Sequence, residues 1–241
     1  MFYEVLLAGD GVGKIAVAEQ DSQEGTSQTW VHLGNVLMEP FHLSYPLVVQ
    51  DPLSQSIYMI PETNAKQSIR LYQAISFPFH WELKTVLLEG ERFLDTTLLL
   101  RNGLWWLFTT VGRNRLDLYW STAVEGPYTL HPASPLSRND RDNRSGGRIS
   151  VRSSAGSGGG ESYPYRIAQD VYYYYGALIR AFRIETLTPE AYQETLLGGP
   201  LPLLMRNMTQ PWRYCGVHHL DAQVYNETHY LVAIDGISYL P

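Results

Sequence analysis

Four stretches of this chain share one pattern, and a repeat constrains the fold more tightly than any single motif. HLSYPLVVQD leads through a turn to IYMIPET, and FLDTTLLLRN leads through Asn102-Gly103 to LWWLFTT. GGRISVRSS leads through a Gly/Ser loop to YPYRIAQD, and HHLDAQVYN leads to HYLVAIDG. Each joins two β-rich runs across turn residues, which is the sequence form of an antiparallel hairpin. In three cases a third run follows (SIRLYQAI, RLDLYWSTA, LIRAFRIETL), then a weaker and more polar fourth (WELKTVLLEG, PYTLHPASPL, AYQETLLG). Four strands recurring at roughly 45 to 65 residues are the signature of propeller blades. The N-terminus fits the frame if it enters a blade midway, with MFYEVLLAG as a second strand, GKIAVAEQD as a third and TWVHLGNVLMEP as a fourth. The expected fold is therefore all-β: a five-bladed β-propeller in a single domain over residues 1–241, its first blade lacking the inner strand. On this reading the sequence is an N-terminally truncated or late-start form of a longer protein.

Composition agrees and removes several function classes. Charged residues make up 17% and aromatics 12%, with 17 Tyr, 20 Gly and 14 Pro, a strand-and-turn profile. A formal net charge of −6 argues against a non-specific nucleic-acid binder. The lone Cys215 allows no internal disulfide. The opening MFYEVLLAGDGVGK has no basic n-region and carries Glu4 in its apolar stretch, so no export signal is read and a cytoplasmic location is expected. No apolar run approaches the roughly 20 residues that span a bilayer, so no membrane insertion is expected. LTPEAYQE reads as a helical turn with Thr188 as N-cap and Pro189 in the first helical position. SSAGSGGG, 153–160, reads as a mobile hairpin loop, and RNDRDNR, before Ser145, as a solvated connection.

GDGVGK looks like a phosphate-binding loop, but a P-loop opens a helix, and here Ile15, Ala16 and Val17 continue as a strand. A hairpin turn explains it. The positional signal is stronger, because the first strand of every propeller blade lines the central channel. Reading across the four inner strands gives His42, Ser44 and Tyr45, then Asp95, then Arg148, then His218, His219 and Asp221. These starts are more polar than a packed sheet needs, and such a ring suits a polyhydroxylated or anionic ligand, although the groups also satisfy one another in a structural plug. Adjacent His218 and His219 point to opposite faces of a strand, so one of them is structural. His219 and Asp221 share a face, but without further spaced ligands no metal and no cofactor are expected. The second strands end in Glu62, Asp170 and Asp235, acids that cap turns or supply a further carboxylate, and Arg166 precedes Asp170 in YPYRIAQD. Tyr172 to Tyr175 are half core and half surface on this pattern, with sugar stacking as a secondary role.

HLSYP, YMIPET, FLD, WWLF, GGR, YR-AQD, YG-IRAF-I-LT-Y-E and HHLD occur in the order seen in the propeller domain of plant glucosamine inositolphosphorylceramide transferases, which the chain resembles over nearly its whole length. Similar domains accompany bacterial formyltransferase-like and polysaccharide-related proteins. More distantly the family resembles the five-bladed propellers of glycoside hydrolase family 43, which use an Asp general base, an orienting Asp and a Glu general acid. The resemblance puts Asp95 at the orienting Asp. It puts Arg148, in GGRI, where the acid Glu would stand, and the strand with the general-base Asp before Met1. An inverting glycosidase needs two carboxyl groups roughly 6.5 to 9.5 Å apart, which Asp95 alone does not supply. The candidate catalytic residues are Asp95, Asp221 and Glu62, and the candidate substrate-binding residues are His42, Ser44, Tyr45, Arg148, Arg166, Asp170, His218 and His219. The resemblance implies a glycan or sugar-phosphate ligand. The first expectation is a carbohydrate-active propeller domain with a glycosidase-like axial site, acting on or binding a glycan or sugar conjugate; the alternatives are a non-catalytic glycan-binding or accessory module of a glycosyltransferase or formyltransferase-type system and, third, a protein-interaction scaffold. The oligomeric state is not legible in the sequence.

Overall fold

A computed structural model describes residues 1–6, 9, 11–21, 29–153, 162–199, 201–224 and 229–237, the side chains at 152, 153, 224 and 230 excepted. The chain forms two compact units, Met1–Thr96 with Ser121–Tyr128, and Thr97–Trp120 with Thr129–Pro241. Among the described residues, no helix is long and apolar enough to cross a membrane.

In the first unit, β1 (Phe2–Leu6), β2 (Gly13–Gln20) and β3 (Trp30–Leu37) form a three-stranded antiparallel sheet in that order. The strands β4 (Ser44–Gln50), β5 (Ile57–Glu62), β6 (Ser68–Ser76) and β7 (His80–Glu89) form a four-stranded one. Ile15, Val17, Leu43, Met59, Tyr72 and Trp81 pack into one buried cluster. Its two polar handles are satisfied: Tyr72 Oη donates to Glu39 at 2.7 Å and Trp81 Nε1 donates to the Pro78 carbonyl at 2.8 Å. Burial, with the Glu39 carboxylate alongside, pushes the Tyr72 phenol well above its ordinary pKa.

A third sheet holds β8 (Phe93–Arg101), β9 (Leu104–Val111), β10 (Arg115–Ser121) and β11 (Thr129–Leu130); residues 93–96 of β8 belong to the first unit and the sheet otherwise falls almost wholly in the second. The strand β9 is buried from Trp105 to Val111, so its apolar residues run without alternation through Phe108 and are followed by buried Thr109 and Thr110. The fourth sheet combines β12 (Arg144–Ser145), β13 (Ser150–Ser153), β14 (Ser162–Asp170), β15 (Leu178–Leu187), β16 (Tyr192–Leu196) and β17 (Leu204–Met205). The last sheet is the hairpin of β18 (Gly216–Val224) and β19 (Tyr230–Ile237). Among the described residues of the second unit, one buried cluster lies around Trp106, Phe108, Leu118, Ile149 and Ile184 and another around Ile167, Ile179, Ala181 and Val217.

Successive antiparallel sheets of strands adjacent in sequence are propeller blades. The expected count of five blades, the first without its inner strand, needs correction to four. Four sheets have three or more strands, and the fifth is two-stranded among the described residues. The short strand Leu204–Met205, which precedes that hairpin, pairs with β15 in the fourth sheet and adds nothing to the fifth. The helical turn expected in LTPEAYQE is a hairpin turn between β15 and β16. Thr188 Oγ1 accepts the amides of Glu190 and Ala191 as an N-cap would, but Thr188 and Ala191 close on each other and the chain returns as strand. Most of the SSAGSGGG segment, 154–160, lies outside the described residues.

An ion pair sits in the fourth sheet. Arg166 is wholly buried; its Nε and Nη2 donate to Glu194 at 2.8 and 2.6 Å, and Nη1 donates to the Asp142 carbonyl at 2.8 Å. Tyr192 Oη adds a bond to the same carboxylate at 2.6 Å. Burial by itself would raise the Glu194 carboxyl, but the Arg166 charge and these hydrogen bonds outweigh it and hold it below the ordinary carboxylate range. A carboxyl depressed in the folded state contributes stability above its unfolded pKa and loses it as pH falls through the folded value. Glu194→Gln is therefore expected to cost about 3 kcal/mol at neutral pH, since it strands a buried guanidinium. Thermal unfolding at several pH values checks this: the gap between wild type and Glu194→Gln should narrow as pH drops below the ordinary carboxylate range, and a gap that does not change with pH would contradict it.

Candidate functional site

In the first unit the ends of three strands converge on two carboxylates. Asp95 lies inside β8 yet has φ +48°, and Tyr45 lies inside β4 with φ +45°. A bulky residue such as Tyr45 is strained in this region by about 1–3 kcal/mol, Asp enters it at lower cost, and such residues gather at functional sites. The pairing of β4 with β5 supplies a local cause at Tyr45. Ser44 opposes Glu62, the register then shifts before Leu47, and the bulge carries Tyr45 out of the pleat. At Asp95 the holding contact is direct, the Glu62 carboxylate accepting the Asp95 amide at 3.0 Å. Ser44, Tyr45 and Glu62 are half-buried, whereas Asp95 is buried. The cluster thus offers a hydroxyl, a phenol ring and a carboxylate, with a second carboxylate behind, groups suited to a polyhydroxylated ligand.

His42 is committed differently. Its Nδ1 accepts the Gly13 amide at 3.0 Å and its Nε2 lies 3.2 Å from Glu4, while the Leu43 amide donates to the Gly13 carbonyl at 3.0 Å. A Cβ on Gly13 would lie 2.4 Å from the Leu43 carbonyl oxygen, so the last glycine of GDGVGK serves close approach of β2 to the start of β4. His42 is a staple between neighbouring sheets.

In the second unit, Arg148 Nε lies 3.4 Å from Asp221 Oδ1, with both side chains about a quarter exposed. The preceding glycines bring them together. The Leu220 amide donates to the Gly146 carbonyl at 2.7 Å, and Gly147, at φ +147°, is so close that a Cβ would lie 1.9 Å from the Leu220 carbonyl oxygen. The strand β18 also docks on Gly176, whose carbonyl accepts the Val217 amide at 2.8 Å. Strict alternation fails at the two histidines because a bulge falls between Val217 and His219. His218 Nδ1 lies 3.3 Å from Asp235 and its ring packs against Tyr175, while His219 opposes Asp235 in the ladder.

Arg166 and Asp170 have no exposed surface. A ligand would reach Arg166 only by displacing Glu194. Asp170 accepts Nε and Nη2 of Arg180 at 3.1 and 3.0 Å and the Tyr172 amide at 3.0 Å, so it anchors the loop that follows β14. Among the described residues, no group of three or more His, Cys, Asp or Glu is placed to hold a metal ion.

One constellation escaped the sequence reading. Tyr172 to Tyr175 are all exposed, and arginines from the RNDRDNR segment lie on them: Arg141 is 4.3 Å from the Tyr172 ring centre and 5.2 Å from that of Tyr173, and Arg144 is 5.5 Å from that of Tyr175. The available signal was the spacing of Arg141 and Arg144 beside a tyrosine run, which a tally of mixed charge hides.

The family model for glucosamine inositolphosphorylceramide transferase 1, N-terminal, matches residues 1–237. The glucosamine inositolphosphorylceramide transferase 1 of Oryza sativa subsp. japonica is 34% identical over 247 residues, covering 98% of this chain and 31% of that protein. The chain thus spans less than a third of the relative's length. Among solved structures, the catalytic domain of the Coprinopsis cinerea GH62 α-L-arabinofuranosidase is similar with a TM-score of 0.65 at 10% identity, over 92% of this chain and 72% of that one. The GH43_1 enzyme from Xanthomonas citri, complexed with xylotriose, is similar with a TM-score of 0.53 at 10% identity, over 81% and 71%. At these identities the likeness establishes the all-β propeller fold and nothing finer.

The docking of β18 on Gly147 gives a direct test of what assembles Arg148 and Asp221. Gly147→Ala combines a clash with backbone strain and is expected to destabilise by about 3 kcal/mol. Gly112→Ala meets open space at φ +65° and should cost only about 1 kcal/mol. Equal losses in urea unfolding of the two variants would show that close approach at Gly147 is unimportant.

Proposed function

The chain belongs to the family of glucosamine inositolphosphorylceramide transferase 1 N-terminal regions, and from that premise we propose that it is a carbohydrate-binding propeller domain, its ligand a glycan or sugar conjugate held around Ser44, Tyr45 and Glu62. The observation that carries this reading is the pair of left-handed residues, Tyr45 and Asp95, inside two extended strands, with Glu62 fastened to one and opposite the neighbour of the other. A sheet built only for stability has no use for that strain. Half-buried oxygen groups fixed beside an aromatic ring match a sugar's hydroxyls and its apolar ring face. The fold shared with sugar-acting enzymes, one of them complexed with xylotriose, supports the same ligand class. Arg148 and Asp221 are a second candidate contact in the other unit.

A second reading, glycoside hydrolysis, draws on the same juxtaposition of Glu62 and Asp95, because two carboxyl groups are the minimum such chemistry needs. Asp221 is a weaker partner for it, since Arg148 already faces its carboxylate.

Titration calorimetry with neutral trisaccharides, xylotriose among them, tests the proposal. Wild type should bind at least one. Glu62→Gln and Tyr45→Ala should each weaken that binding by about tenfold or more. Binding by neither wild type nor variants, or equal binding by all three, would overturn the reading. Chromatography of the same mixtures separates the two activities: shorter sugars released by wild type, but not by Glu62→Gln or Asp95→Asn, would select hydrolysis.

A further inference from the structure

We infer that Tyr172, Tyr173 and Arg141 form a platform for the charged part of an acidic sugar, a ring bearing a carboxylate or a phosphate; this rests on the carbohydrate-binding reading and names its ligand more narrowly. Four consecutive tyrosines are exposed in the loop between β14 and β15, Tyr173 by 68%. The loop is tied at both roots. Val171 donates to the Asp140 carbonyl at 2.9 Å and Tyr172 donates to buried Asp170 at 3.0 Å; at the other end Ala177 donates to the Tyr174 carbonyl at 3.2 Å and Val217 to that of Gly176 at 2.8 Å. The rings are therefore presented from a fastened loop. Tyr172 and Tyr173 meet edge to face at 5.0 Å, and Arg141 lies over Tyr172 while donating to Tyr173 Oη at 3.4 Å.

Tyrosine provides a ring face for the apolar side of a sugar and a hydroxyl for its polar edge, with little rotamer entropy to lose. A guanidinium lying on such a ring keeps its charge and its planar fork, which matches carboxylate and phosphate oxygens. The local charge also selects an anion. Within a chain of net charge −6, residues 138–148 carry Arg138, Arg141, Arg144 and Arg148 against Asp140 and Asp142. Asp170 faces both Arg141 and Arg180, and Asp221 faces Arg148, so with Arg180 and these two acids included five arginines stand against four carboxylates and a positive surplus remains.

Calorimetric titration of the whole chain with trigalacturonate, glucose 1-phosphate and neutral maltotriose tests the inference. At least one charged sugar should bind about tenfold more tightly than maltotriose, and which one it is assigns carboxylate or phosphate. The double variant Tyr172→Ala/Tyr173→Ala should weaken that binding by about tenfold. Arg141→Gln should abolish the preference for charge with only a small fall in the thermal midpoint, because buried Asp170, 3.5 Å from Arg141, keeps Arg180. Charged sugars bound no better than maltotriose, or a double variant that binds like wild type, would overturn the platform. If Glu62→Gln then still weakens sugar binding, only the platform falls; if no sugar binds at all, the carbohydrate reading falls with it.

Discussion

The carboxylate of Glu62 closes on the backbone amide of Asp95, and the local geometry of the first unit follows from that contact. An amide buried inside a strand must find an acceptor, and at φ +48° the backbone of Asp95 cannot continue the regular ladder. Glu62, the last residue of β5, supplies the acceptor from its side chain. The same residue faces Ser44 across the sheet, where the β4 bulge turns Tyr45. One carboxylate thereby links two departures from strand geometry on different strands, and an isolated departure would be harder to sustain.

The second unit solves a related problem without strain at large residues. Gly147 lets β18 approach so closely that the Leu220 carbonyl oxygen occupies the space of the missing side chain, Gly216 lies as close to the Gly176 carbonyl oxygen, and Arg148 and Asp221 are thereby held in contact. The buried charges, Arg166 with Glu194 and Asp170 with Arg180, lie within the fourth sheet and are held by their own partners. Charge in this unit is thus divided between closed pairs that stabilise the sheet and arginines at its surface on tyrosine rings, of which Arg141 also reaches Asp170. That division makes ligand contact at Arg141 compatible with a stable fold.

The hairpin repeat was legible because turn residues and β-rich runs act locally, and every inner and second strand read from the sequence is a strand in the structure. Strand starts were also legible as polar, which led to Ser44, Tyr45 and Asp95. The motif order carried the family. What the sequence concealed depends on tertiary context. Glu62 gave no sign of reaching the Asp95 amide, 33 residues away. Arg166 looked like an available guanidinium because its partner Glu194 lies on another strand. Thr188 and Pro189 carry the chemistry of a helix start, but three residues cannot choose between a helix and a tight turn when β16 pairs back onto β15. The bulge at His218 broke the alternation used to separate the two histidines. The blade count erred because the last hairpin, β18 with β19, was counted as a blade although it has two strands among the described residues.

The central claim is that the strained contact of Glu62 with Asp95 marks the place where sugar is bound. Amide chemical-shift mapping during titration with a bound oligosaccharide tests it at single residues. The account requires the Asp95 amide, with Ser44 and Tyr45, to be among the most strongly perturbed signals at saturation. Saturating sugar that leaves those amides in place while shifting a different set of residues would contradict it.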